Sequence, residues 1–598
     1  MAKKKNYDFG FTPSPYQEKI FDFISEGVGN AVVIARAGCG KTATAVSSLK
    51  LIPKSQKSLF LAFNKSIADE LSKKLTGLNN VSVRTTHSLG YAIIKKNLGN
   101  VEVEDYKYRT YIKQNIGELT SCEEMITSRT QLTEYIDNIM FLTNFARLYY
   151  CQSEKEIDVI ADKYDIPVSL DECSVVLKIL NWGKENTNVV DYIDMLWLPV
   201  ELKMNPFGFQ YDWIFLDEAQ DTSVIAIEMI KKCFKRNTRM VSIGDNFQCI
   251  NQFAGSSDKS FEELCNMPNT QTFDLPISYR CDKNIIKLAN TIVPDIYARE
   301  DADDGKIIDV CRTNILKDGD MVLSRTKAPL LTLYNKLLKK GVNCYVKGSD
   351  IGLNLIKKLE NVDEDNLGQD LKEKGVFTTL YQKMFSERNK LMSKRGLDYD
   401  DATLSQKIMD EYDSINSLIT LSSGLKYKQD LIEKIKKIFK EENNGICLST
   451  IHKSKGLEAE NVYILCHSSM PSKLAKKKWE IEQEQDLIYV AYTRAKHKLG
   501  FVSEKEIPSM GSSLEPMAII NELMYIENVV CETLGLEPTV RMSSVDIAKF
   551  NINNATKIED KYENLTEAFK DNTIKIGKDD DLLLYLSNIS TDDDEDDD

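Results

Sequence analysis

The sequence predicts an α/β protein made of two parallel-sheet lobes, with two mainly helical insertions and an acidic C-terminal tail. Three observations carry this expectation. First, short apolar runs pass through loops directly into helical patterns: AVVIA (31–35) precedes RAGCGKT, and SLFLAF (58–63) precedes KSIADELSKKL. Strand–loop–helix alternation of this kind calls for crossover helices and a parallel sheet. Second, the rhythm lapses twice, at about 95–205 and 351–441, and returns each time. Third, a chain of 598 residues is too long for one core and allows roughly three to four domains at ~100–200 residues each.

The expected boundaries follow. Residues 1–94 and 206–270 form the first lobe, whose rhythm resumes at YDWIFL (211–216) and RMVSI (239–243). Residues 95–205, rich in Tyr, Ile, Lys and Glu, form a helical insertion. Residues 271–350 and 442–510 form the second lobe, with GDMVLSRT (319–326), GICLST (445–450) and NVYILC (461–466) as its strand signals. The charged, helical stretch 351–441 is a second, reduced insertion. Residues 511–598 read as a loosely structured or small helical extension ending in a disordered acidic tail.

Composition sets limits on function. The formal net charge is −14, an unexpected balance for a nucleic-acid binder. The ten acidic side chains at Asp579–Asp581 and Asp592–Asp598 account for most of it and leave about −4 for the rest. A near-neutral body can still carry a basic channel, because phosphate binding depends on local charge. The 13 cysteines contain no CxxC pair, which argues against a zinc ribbon, an iron–sulfur cluster or a disulfide framework. Reduced thiols fit a cytoplasmic compartment, or a nuclear one in a eukaryote. No apolar window is long enough to span a membrane, and the N-terminal lysines lack the apolar region of a secretory signal.

Residues 35–42, Ala-Arg-Ala-Gly-Cys-Gly-Lys-Thr, approximate the phosphate-loop pattern GxxxxGK[ST], with Ala35 at the first glycine position. Gly38 and Gly40 allow backbone N–H groups to curl around phosphates, and the next helix aims its positive end at them. Lys41 reaches the β- and γ-phosphates of ATP and Thr42 holds Mg²⁺. Ala37, Cys39 and Ala43 complete the nucleotide-binding stretch. Cys39 reads either as a thiol activated by the helix end or as a small residue filling a turn. Downstream, Asp217 and Glu218 follow the apolar strand WIFL. A carboxylate at that strand end is placed to hold Mg²⁺, and the next one can polarise an attacking water.

The segment DEAQD (217–221) resembles the UvrD/Rep-type helicases of superfamily 1A, and the resemblance runs in family order from 17 to 499. The matching segments are Gln17 in SPYQEKIF, AFNKSIADEL (62–71), RTTHSLGYAI (84–93), IGDNFQCINQFAGS (243–256), ISYRCDKNI (277–285), STIHKSKGLEAENV (449–462) and LIYVAYTRAKHKL (487–499). The wording of several looks similar to the F-box DNA helicase branch and its phage or bacterial relatives.

The resemblance implies two RecA-like lobes with ATP between them. Gln17 reads adenine, Tyr279 stacks near it, Gln248 senses the γ-phosphate, and Gly456 and Glu458 lie near the ribose. Arg280 and Arg494 reach the γ-phosphate from the second lobe, facing Lys41, Thr42, Asp217, Glu218 and Gln248 of the first. Phe63, Asn64, Lys65, Thr86, His87, Phe253 and His452 contact single-stranded DNA, and travel is 3′→5′. The chain departs from the family where Asn251 and Ala254 replace a Tyr and an Arg beside Phe253, which bears on the grip on a single strand.

The expected partners are single-stranded DNA and DNA with single-stranded 3′ tails. A basic replication or recombination protein could also dock on the acidic tail, for which the plain alternative is a solubilising end. The expected activity is an ATP-dependent helicase and translocase in replication, recombination or repair. The competing reading is an ATP-driven remodeller that strips proteins from single strands with little strand separation.

Overall fold

The computed structural model describes residues 9–119, 129–166, 168–250, 258–359, 427–439, 444–472 and 475–507, together with 418, 421 and 425. The acidic tail, most of the second insertion, and Asn251, Phe253 and Ala254 lie outside the described residues. The chain divides into two compact units. One is Met1–Lys306 with Lys477–His497, and the other is Ile307–Lys476 with Lys498–Asp598.

The first unit opens with α1 (Pro15–Glu26). Pro15 stands at its first position, and Ser14 and Gln17 cap it reciprocally. Next come β1 (Asn30–Ala35), α2 (Lys41–Leu51), β2 (Ser58–Ala62), α3 (Lys65–Lys74), β3 (Val81–Thr85) and α4 (Thr86–Leu98). The helical insertion contributes β4 (Glu102–Val103), α5 (Lys107–Gln114), α6 (Ile116–Leu119), α7 (Arg129–Leu148), α8 (Glu154–Lys163), α9 (Leu170–Glu185), β5 (Val189–Val190) and α10 (Asp194–Glu201). The sheet then resumes with β6 (Tyr211–Leu216), α11 (Val224–Lys231), β7 (Phe234–Gly244), α12 (Asp258–Cys265) and β8 (Thr270–Leu275).

The main sheet has the order β3-β2-β6-β7-β1-β8, and every adjacent pair is parallel. Both faces are covered, so its inner strands are continuous apolar runs rather than alternating ones; β2 is buried at every residue. One apolar cluster joins Val33, Phe60 and Phe215 to α1, α2 and α3. The opposite face carries Val32, Leu61 and Ile214 into a larger core shared with the insertion.

Backbone contact holds the insertion to the sheet. A Cβ on Gly90 would lie 1.8 Å from the carbonyl oxygen of Met195, so α4 and α10 can meet only with glycine there. Inside the insertion, Arg147 bonds Asp191 and Asp194, Lys107 Nζ lies 2.7 Å from Asp194, and the Tyr108 hydroxyl donates to Asp194. All but Asp191 are essentially dry. Charges so deeply buried persist only when paired and hydrogen-bonded.

After β8 come β9 (Ile277–Ser278), α13 (Lys283–Ala289) and β10 (Tyr297–Ala298), which remain with the first unit. The second unit holds β11 (Lys306–Cys311), β12 (Met321–Ser324), α14 (Ala328–Lys339), β13 (Cys344–Val346), α15 (Ser349–Lys358), α16 (Lys428–Ile438), β14 (Ile446–Thr450) and β15 (Ala459–Ile464). The chain returns to the first unit for α17 (Lys478–Tyr492) and then enters β16 (Ala495–Val502). The second sheet has the order β11-β16-β15-β12-β14-β13, with β12 parallel to both β14 and β15.

The segments 271–306 and 477–497, expected in the second lobe, therefore lie in the first unit. Two features place them there. β8 pairs with β1 along its whole length, and α17 is hydrogen-bonded to the loop that follows β1. Among the described residues no helix is long and apolar enough to cross a membrane, and every described cysteine is free.

Candidate nucleotide and DNA-contact site

In an open parallel sheet, ligands meet the carboxyl ends of the strands. The first unit collects most of the expected site residues at that edge. β1 ends at Ala35 and runs into the loop 36–40; β6 ends at Leu216, before Asp217 and Glu218. β7 ends at Gly244, before Asp245 and Gln248, while β2 and β3 lead to Phe63 and to Thr86 and His87. Residues expected at the nucleotide therefore sit at the middle strands, and those expected at DNA sit at the β2–β3 edge.

Gly38 and Gly40 take φ values of +70° and +80°, which favour glycine. A Cβ on Gly38 would also lie 2.5 Å from the Cβ of Arg280, so the loop packs directly against the 278–280 segment. Gly40 opens α2, with Lys41 and Thr42 in its first turn and Ala43 exposed. The Lys41 ammonium lies 2.8 Å from Glu218 Oε1. Burial opposes its charge, but Glu218, Asp217 and Asp245 outweigh burial and hold it protonated.

Asp217 is 8 % exposed. Burial, then the Glu218 charge, pushes its carboxyl up to about 6, with Lys41 pulling the other way. Glu218 occupies the left-handed region at φ +48°, an uncommon backbone state for a residue with a side chain. Its Oε2 accepts from Gln220 Nε2 at 2.6 Å, which fixes the carboxylate from the side away from Lys41.

Gln17 is buried. Its Oε1 accepts from Ser14 N and its Nε2 donates to Thr44 Oγ1 at 2.9 Å, so it joins α1 to α2. Its amide and the Tyr279 ring both approach the space beside Gly40. Tyr279 is 42 % exposed, and its N–H donates to the Gly38 carbonyl. Both arginines rest on the last turn of α17. Arg280 donates to the Thr493 carbonyl at 3.2 Å, and Arg494 Nε donates to the Val490 carbonyl at 2.9 Å. Burial, then repulsion from Arg280, lowers Arg494 to about 10, so it remains charged at neutral pH. Cys39 is buried, and burial pushes its thiol up to about 12. Of its two sequence readings, the turn-filling residue fits and the activated thiol does not.

Asp245, Gln220, Arg36 and Tyr489 were missed by sequence reasoning. Asp245 is fully buried and accepts from Arg36 Nη1 at 2.9 Å, Gln248 Nε2 at 2.8 Å and the Tyr489 hydroxyl at 3.2 Å. The N–H of Ala37 donates to that same hydroxyl at 2.9 Å. Arg36 also forks onto Asp295 and lies over the Phe247 ring. Asp245 follows a buried strand just as Asp217 does, so its signal was present. Tyr489 gave none, because its role depends on where α17 packs.

At the β2–β3 edge Phe63 is 48 % exposed. Asn64 caps α3 by accepting from Ile67 N, and Lys65 is exposed. His87 is exposed and meets Tyr192 of the insertion edge-on, with ring centroids 6.4 Å apart. His452, Gly456 and Glu458 belong to the second unit, on the loop between β14 and β15.

A glycine-bearing phosphate loop and a strand-end carboxylate pair, on one parallel sheet, define a P-loop nucleotide-hydrolase domain. The comparisons with known proteins are specific. Residues 17–268 match the UvrD/REP helicase N-terminal domain and 353–506 the UvrD-like helicase C-terminal domain. The chain is 22 % identical to the ATP-dependent DNA helicase Rep of Buchnera aphidicola subsp. Schizaphis graminum, over 79 % of this chain and 91 % of the relative. It is 22 % identical to the ATP-dependent DNA helicase PcrA of Bacillus subtilis, over 80 % and 81 %. It is 24 % identical to F-box DNA helicase protein 1 of Schizosaccharomyces pombe, over 78 % and 55 %. The chain belongs to the UvrD/Rep helicase family and is an ATP-dependent DNA helicase of that type.

Proposed function

We propose that the chain couples ATP hydrolysis to 3′→5′ travel along single-stranded DNA and separates strands ahead of it, in replication, recombination or repair. The observation that carries this reading is the Lys41–Glu218 ion pair, with Asp217 beside it, at the carboxyl ends of β1 and β6. Two acids face one lysine there, and burial, then the Glu218 charge, raises the Asp217 carboxyl. This fits a divalent cation. Thr42 and Asp217 would hold Mg²⁺, which neutralises charge on the β- and γ-phosphates when bound.

The protein's own groups do the rest. The loop amides of 38–42 and Lys41 seat the phosphates. Glu218, aligned by Gln220, orients the attacking water and takes its proton. Gln248, Arg280 and Arg494 stabilise charge at the γ-phosphate and register its presence. Gln17 and Tyr279 flank the adenine. Phe63, Asn64, Lys65, Thr86, His87 and Phe253 grip the single strand. The exposed aromatic offers sequence-tolerant stacking, at ~1–3 kcal/mol per base.

The test is ATPase with and without single-stranded DNA for wild type, Lys41→Ala and Glu218→Gln. Single strands should stimulate wild type, and both variants should lose turnover; an unstimulated wild type defeats the motor reading. Comparing strand separation on 3′- and 5′-tailed duplexes then fixes direction. Translocation without strand separation would instead favour a protein-stripping remodeller.

A further inference from the structure

Two consecutive residues of the phosphate loop converge on one buried carboxylate. Arg36 reaches Asp245 Oδ1 with its guanidinium. Ala37 reaches Asp245 Oδ2 through a single bridging hydroxyl, that of Tyr489. From Asp245 the bonds lead two ways. Its N–H donates to Gln220 Oε1 at 3.0 Å, and Gln220 aligns Glu218. Tyr489 sits in the last turns of α17, where the Val490 and Thr493 carbonyls seat Arg494 and Arg280. Tyr489 is fully buried, and the Tyr489 hydroxyl both accepts and donates, a combination phenylalanine cannot supply.

We propose that Tyr489 and Arg36 are positioning residues for ATP hydrolysis: acting through Asp245, they set the last turn of α17, and with it Arg494 and Arg280, against the phosphate loop. Neither bonds the nucleotide. A shift of the loop backbone at Ala37 pulls on the Tyr489 hydroxyl. The arginines follow because their seats are backbone carbonyls one and four residues beyond Tyr489. Such a linkage acts on the rate of the chemical step more than on ATP binding, because the arginines are needed most where charge develops.

The proposal rests on Arg494 acting at the γ-phosphate, and a double-mutant cycle separates the two ideas. Single-turnover and steady-state ATPase, with saturating single-stranded DNA, is measured for wild type, Tyr489→Phe, Arg494→Lys and the double variant. Thermal midpoints are recorded alongside. Tyr489→Phe should lower kcat about tenfold or more with KM for ATP within twofold, and should cost less than twofold on the Arg494→Lys background. Equal losses on both backgrounds, or no loss in the single variant, overturn the proposal. An unaffected Arg494→Lys overturns the site assignment itself. If Tyr489→Phe does not fold, Arg36→Lys takes its place in the same cycle, since it keeps the charge and loses the forked contact. The same background dependence is expected, and equal losses again overturn the proposal.

Discussion

Lys41 and Glu218 face each other at 2.8 Å across the carboxyl edge of the first sheet, and Gln220 holds the far oxygen of the same glutamate. The carboxylate is thus oriented before any substrate arrives. Glu218→Gln keeps the size and shape of the side chain but removes its charge and its capacity to take a proton, and its single amide oxygen can accept from only one of Lys41 and Gln220. Its kcat should fall ~10²–10⁴-fold, the usual range for losing a general base, with little change in KM for ATP. Retention of a tenth of the rate would show that Glu218 is not the base.

Two glycines with similar backbone angles should behave differently. Gly38→Ala places a Cβ 2.5 Å from Arg280, whereas Gly77, at φ +97°, has nothing within 4 Å. Gly77→Ala should cost only the left-handed backbone term, ~1–2 kcal/mol, read as a small drop in thermal midpoint. Gly38→Ala should add a loss of ATP binding, measured by nucleotide titration.

Phe63 is half exposed at the end of β2, where a core residue would be covered. Phe63→Ala should raise the single-strand concentration needed for half-maximal ATPase stimulation. One stacked base is worth ~1–3 kcal/mol, or roughly fivefold to more than a hundredfold. An unchanged half-maximal concentration assigns Phe63 to packing.

Much of this was legible in the chain. Buried parallel strands announce themselves as apolar runs, and a loop at a strand end exposes its chemistry in order, so Lys41, Asp217 and Glu218 could be read directly. The placement of 271–306 and 477–497 could not. It depends on β8 pairing with β1 and on one hydroxyl of α17 reaching a loop over four hundred residues earlier. Local patterns carry no record of such distant contacts. Arg36 escaped for a similar reason: its partners, the buried Asp245 and the exposed Asp295, come from separate segments.

The second unit has its own pH signature. Burial, then Arg325, Lys327 and Lys453, lowers His452 to about 3. The unfolded imidazole titrates near ~6.5, so between these values the unfolded chain binds more protons than the fold. Stability should therefore fall as pH drops below ~6.5, by at most ~1.4 kcal/mol per pH unit. Denaturant titrations at pH 7 and pH 5 would read this, and His452→Gln should flatten the slope.

Within the insertion, Arg147→Met removes the cation shared by Asp191 and Asp194. Breaking a buried pair from one side costs ~3–5 kcal/mol. The change should appear as early loss of helical signal on heating. Unaltered melting would mean that Lys107 alone suffices for Asp194.

The bare backbone of Gly90 against Met195 has a mechanical consequence. α4 leaves the sheet with Thr86 and His87 in its first turn, and α10 meets it at Gly90 with no side chain in between. A displacement of α10 therefore bears directly on the backbone near the root of α4. The joint between insertion and sheet is thus backbone against backbone, next to the residues at which the single strand is expected.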